Sequence, residues 1–149
     1  MQLTRREVAS LFFLTLVAGA SRLGAKALPT ISPTDLVAIL KKPASPQPLI
    51  IQVGFKSMFD QAHIPGSEYM GPGANSTGLG LLRQRLATLK KDAFIVLYCG
   101  CCPLDDCPNV KPAEALVTSM GFTNTKMLLI PQNFGADWVA KGYPTQKAK

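Results

Sequence analysis

The sequence predicts an α/β domain in which a parallel central sheet is flanked by helices. Three observations lead there. Short, almost wholly apolar runs (Leu49-Ile50-Ile51-Gln52-Val53, Phe94-Ile95-Val96-Leu97-Tyr98) have the length and β-branched content of strands covered on both faces. Segments with apolar residues at helical spacing alternate with these runs. Four cysteines, the only ones in the chain, fall within nine residues (Cys99, Cys101, Cys102 and Cys107), directly after the second of those strands. In parallel α/β sheets the functional loops leave the C-terminal ends of strands.

The elements follow in order. Ser32-Pro33-Thr34-Asp35 reads as an N-cap with proline at the first helical position, opening a short helix that ends near Lys42. Pro43 to Pro48 is a stiff loop, and Leu49–Val53 a strand. His63-Ile64-Pro65-Gly66-Ser67 is a turn, and Gly71 to Gly80 a glycine-rich loop. Leu82, Leu86 and Leu89 place a helix over Leu81–Leu89, ending at Lys90-Lys91, where cations complement the helix dipole. The strand Phe94–Tyr98 and the cysteine loop come next. A helix from about Lys111 to Met120 is closed by Gly121. A strand over Lys126–Ile130 and a short helix over Phe134–Ala140, around Trp138, complete the domain.

Residues 1–27 read as an export signal rather than as fold. Thr4-Arg5-Arg6-Glu7 leads into a mainly apolar run of 13 residues, Val8 to Ala20, and then into the small-x-small pattern Ala25-Lys26-Ala27. The apolar run is shorter than the roughly 20 residues of a membrane span. The paired arginines resemble a twin-arginine signal, with Val8 and Ala9 where Phe-Leu is usual. Ordinary Sec export stays open beside it. Residues 28–149 are therefore expected as one soluble domain exported to the periplasm or another extracytoplasmic site, meeting a membrane only if the signal stays uncleaved. The formal charge is +7 for the whole chain and +4 for residues 28–149, with 12 basic and 8 acidic residues scattered along it. That excess and distribution do not call for nucleic acid. A monomer is expected.

The motifs, in order, resemble those of single-domain rhodanese-like sulfurtransferases across nearly all of residues 28–149. Leu49 to Gly54 is similar to that family's first core strand, and Ala62-His63-Ile64-Pro65-Gly66-Ser67 to its "GHIPGA" turn. Ile95 to Cys99 resembles the strand that delivers the active-site cysteine, Ala113–Phe122 the helix ending in "GF", and Trp138 to Pro144 the closing "W…GYP". The resemblance implies a rhodanese-like fold and sulfur transfer through Cys99. Its thiolate would take the sulfane sulfur of thiosulfate or a persulfide and pass it to a small acceptor or a thiol protein. Cys101, Cys102 or Cys107 would act as resolving thiols.

Departures from the family pattern concentrate at the same loop. The arginine expected about five residues after the cysteine is replaced by Leu104-Asp105-Asp106, the loop is about twice the usual length, and Lys111 is its only cation. Gln52-Val53-Gly54 stands where the family has Asp-x-Arg. Asp105 and Asp106 would repel an anionic donor and raise a thiol pKa. Three other readings of the cysteines stay open. They are disulfides from Cys101 or Cys102 across the loop to Cys99 or Cys107; a metal ion such as zinc or copper held by Cys99, Cys101, Cys102 and Cys107; and an inactive rhodanese-like domain that binds a partner. No cofactor is otherwise implied. His63, the single histidine, reads as a structural hydrogen-bonding residue, and Trp138 and Tyr143 as packing.

Overall fold

The computed structural model describes residues 27–148, so the export-signal reading lies outside the described residues but for Ala27. Five strands form one sheet: β1 (Thr30–Ile31), β2 (Leu49–Gln52), β3 (Glu68–Tyr69), β4 (Ile95–Tyr98) and β5 (Thr125–Leu128). Their spatial order is β1-β5-β4-β2-β3 and every pairing is parallel. The helices are α1 (Pro33–Leu40), α2 (Lys56–Gln61), α3 (Ser76–Ala87) and α4 (Val110–Ser119), with a 3₁₀ turn at Leu104–Asp106 and a single π-helical turn at Gly135–Val139.

The expected α/β class with a parallel sheet between helices is the one observed. β4 lies at the centre, paired to β2 from Leu49↔Ile95 to Gln52↔Tyr98 and to β5 from Ile95↔Thr125 to Leu97↔Met127. Alternate residues of these strands supply two cores. Ile51, Ile95 and Leu97 pack with Leu82 and Leu86 of α3 and Ala113 and Val117 of α4; Cys99 and Cys107 belong to this core. Ile50, Val96 and Tyr98 pack on the other face with Leu36 and Val37 of α1, Phe134 and Trp138. Both faces are thus covered, which explains why the central strands are continuous apolar runs.

Local chemistry accounts for the helix starts. The Ser32 hydroxyl accepts from the Asp35 N–H at 3.1 Å, with Pro33 at the first position of α1. Asn75 accepts from the Gly78 N–H at 2.7 Å and so starts α3 five residues before the expected Leu81, inside what reads as a glycine loop. Because α3 ends at Ala87, Lys90 and Lys91 lie beyond it, and Lys91 instead places its ammonium 4.5 Å from the Phe122 ring centroid. The expected helix at Phe134–Ala140 is the π turn. Three short elements carry no sequence expectation: β1, β3 and α2. His63 is structural, as expected. Its Nδ1–H donates to the Phe59 carbonyl at 2.7 Å and its ring stacks on Phe59. Trp138 Nε1–H donates to the Pro144 carbonyl at 2.8 Å, and Tyr143 meets the Trp138 ring edge-on. Among the described residues no helix is long and apolar enough to cross a membrane.

Candidate functional site

Cys99 is the first residue past β4, and its odd-numbered register continues Ile95 and Leu97 toward the face covered by α3 and α4. The chain must then turn sharply. Gly100 does so at φ +87°, and any Cβ there would come 2.8 Å from the Phe134 Cβ. The loop is held at both ends of this turn: Phe134 N–H donates to the Gly100 carbonyl (2.9 Å) and Leu104 N–H to the Ile130 carbonyl (3.1 Å). This anchoring gives the four cysteines defined positions.

All four are free thiols in this structure. Cys99 and Cys107 are buried, while Cys101 and Cys102 are half-buried. The Cys101 sulfur touches the other three: Cys99 at 3.2 Å, Cys102 at 3.1 Å and Cys107 at 3.8 Å. The Sγ atoms of Cys99, Cys101 and Cys107 all lie within 4.8 Å of one another, so these three could share a metal ion. Cys102, the fourth cysteine of the sequence-derived ligand set, is outside that triad.

The electrostatics divide the thiols. The neighbouring Cys107 side chain, reinforced by burial, pushes Cys99 well above the usual cysteine range, while the Cys99 S–H donates to the Cys101 sulfur at 3.2 Å. Cys107 is the reverse case: the Cys99 side chain and the backbone N–H groups of Asn109 and Val110 favour its thiolate, lowering it to about 5 against the effect of burial. The N–H groups at the start of α4 thus act on Cys107. Cys102 is pushed up to about 12 by burial and by its contacts with Cys101 and Cys107. Such close sulfurs exchange protons as one coupled group.

Beside Cys99 is a niche with about 10 Å³ of free space, lined by Cys99, Gly100, Cys102, Leu104, Cys107, Val110, Leu128 and Ile130. That is room for about one water-sized atom. None of the loop charges lines it. Asp105 and Asp106 sit exposed on the 3₁₀ turn, and Lys111 lines a separate cavity with Asp105, Glu114 and Leu28.

Two residues contact Cys99 in ways that sequence reasoning did not give. Asn109, almost wholly buried, donates from Nδ2 to the Cys99 sulfur at 3.4 Å, and its Oδ1 accepts from the Ala74 N–H at 3.1 Å. Gln52, whose Nε2 donates to the Cys99 carbonyl at 3.4 Å, has a buried Oε1 without a partner. A polar residue at the end of an apolar strand was the available signal for Gln52.

This arrangement, a parallel α/β domain presenting a cysteine at the end of its central strand, defines the architecture, and solved structures place it. The rhodanese-like domain of an Anabaena protein is similar at 21% identity, with a TM-score of 0.58, over 80% of this chain and 80% of that one. A single-domain sulfurtransferase from Saccharomyces cerevisiae is similar at 21% identity and TM-score 0.56, over 80% of this chain and 98% of that one. Thiosulfate sulfurtransferase from Pseudomonas aeruginosa is similar at 24% identity and TM-score 0.59, over 84% of this chain and 20% of that protein's length. The fold is rhodanese-like. No family model matches the chain, and no curated protein matches it significantly.

Proposed function

We propose that the protein is an exported carrier or transferase of sulfane sulfur, working through a persulfide on Cys99. The observation that carries this reading is the niche: a single-atom space against the Cys99 sulfur, walled by two further thiols and by Leu104, Val110, Leu128 and Ile130. A terminal persulfide sulfur fits there, and the apolar wall shields it from water. The rhodanese-like fold supports the same reading by analogy only.

The step balances as a thiol–persulfide exchange. The Cys99 sulfur attacks the terminal sulfur of a donor R–S–SH; the donor's S–S bond breaks, R–S⁻ leaves, and Cys99–S–SH forms. The Cys99 proton has an acceptor in place, the Cys101 sulfur at 3.2 Å. Because no lysine or arginine lines the niche, the chemistry favours a thiol persulfide, small or protein-borne, over thiosulfate with its two negative charges.

The test is intact mass after incubation with a low-molecular-weight thiol persulfide, with thiosulfate in parallel. A gain of about 32 Da, removed by reductant and absent in Cys99→Ser, is expected from the persulfide donor. No such gain, or an equal gain in Cys99→Ser, overturns the reading.

A further inference from the structure

We infer that Cys99, Cys101 and Cys107 form a three-coordinate, all-sulfur site for a soft monovalent metal ion of the copper(I) type. The inference does not need the persulfide reading. It does mean that the metal-loaded and sulfur-loaded states exclude one another, because both use the Cys99 sulfur.

Geometry comes first. Three sulfurs bound at about 2.3 Å to an ion in their plane lie roughly 4 Å apart. Here Cys101 is 3.8 Å from Cys107 and 3.2 Å from Cys99, and all three Sγ atoms are within 4.8 Å of one another. A small opening of the Cys99–Cys101 edge completes the triangle. The middle ligand, Cys101, is half-buried and provides the entry path, while the outer two are buried.

The donor set selects the ion. Thiolates favour soft ions, whereas calcium, magnesium and manganese need oxygen. Asp105 and Asp106 are exposed and outside the triad, and His63 is committed to the Phe59 carbonyl, so no oxygen or imidazole donor among the described residues joins the three sulfurs. A closed structural zinc site takes four ligands. Three sulfurs converge here, and the fourth cysteine, Cys102, is outside their triad. Each thiol that binds releases its proton to solvent. The resulting negative charge meets the Asn109 side-chain amide at Cys99.

The test uses the full chain, reduced and kept anaerobic, with copper(I) supplied from a soft chelator. Native mass spectrometry should show one copper per chain, and X-ray absorption should show three sulfur scatterers and no nitrogen or oxygen. Cys102→Ser should keep the metal against the chelator, while Cys101→Ser should hold it at least about tenfold more weakly. Absence of copper at one equivalent, a fourth sulfur in the wild-type spectrum, or equal weakening by Cys102→Ser would overturn the proposal. The wild-type spectrum decides even where a variant fails to fold. Persulfide formation is measured separately on metal-free protein, so failure of either property leaves the other standing.

Discussion

Gly54 and Cys99 are in such close contact at the C-terminal ends of β2 and β4 that only a hydrogen fits between them: a Cβ on residue 54 would lie 3.0 Å from the Cys99 sulfur and 2.9 Å from its carbonyl oxygen. The neighbouring bond from the Val53 N–H to the Tyr98 carbonyl, at 2.8 Å, prevents the two chains from drifting apart. The glycine therefore fixes where the thiol can stand.

Gly54→Ala is accordingly expected to push the Cys99 side chain off its position, at a cost of about 1–3 kcal/mol in stability. Persulfide formation should slow while overall secondary structure persists. Circular dichroism melting and time-resolved intact mass on the same variant check both halves. An unchanged rate would mean that the sulfur does not need this placement.

Asn109 joins two loops through one amide. Asn109→Ala strands the Ala74 N–H and removes the donor to the Cys99 sulfur. A loss of about 1–3 kcal/mol is expected in chemical denaturation, the range for leaving a buried partner unpaired. Asn109→Ser, which keeps a hydroxyl near Ala74, should recover part of the stability but not the rate of sulfur uptake. Full recovery of both would reduce Asn109 to a structural role.

The fold and the site differed in how far the sequence could be read. β2, β4, α1 and α4 were legible because burial on both faces gives continuous apolar runs and because Ser32 and Pro33 announce a helix chemically. β1 and β3 have two residues each, too few for any periodicity, and α2 buries none of its residues and is preceded by Phe55, which gives no side-chain cap. The start of α3 was hidden by Gly78 and Gly80, although Asn75 is its cap. Clustering of the thiols was legible from spacing alone. Which three converge was not, nor were Gly54 and Asn109, since those contacts are made across β2, the loop before α3 and the start of α4.

Tyr98 offers a probe of the opposite face. Its ring is fully buried, its hydroxyl accepts from the Ile64 N–H at 3.3 Å and meets Ser67 Oγ at 3.4 Å, and burial pushes its pKa up to about 12. The folded state thus holds the phenol proton above the pH at which the unfolded chain releases it. The contribution is complete below pH 10 and is lost as pH rises toward 12, by roughly 2–3 kcal/mol. Denaturation curves from pH 9 to 12 should fall more steeply for the wild type than for Tyr98→Phe. Parallel curves would remove Tyr98 as the titrating group.

The carboxylates of the 3₁₀ turn are predicted to act on donors at a distance only. Asp105→Ala combined with Asp106→Arg should raise thiosulfate use modestly and leave uptake from a thiol persulfide within about twofold, because exposed charges are screened by solvent and salt. Steady-state assays at two salt concentrations would show it. A large gain would place an anion path along this turn.

The two outermost strands of the sheet, β1 and β3, are each two residues long. An intruding strand from another chain finds only a couple of free amide and carbonyl groups at either margin, too short a template to extend the sheet. The long apolar strands, β2 and β4, which would be the dangerous ones if laid bare, are interior and already paired on both sides. Among the described residues, the order of strands thus denies an incoming chain any long sheet edge on which to add.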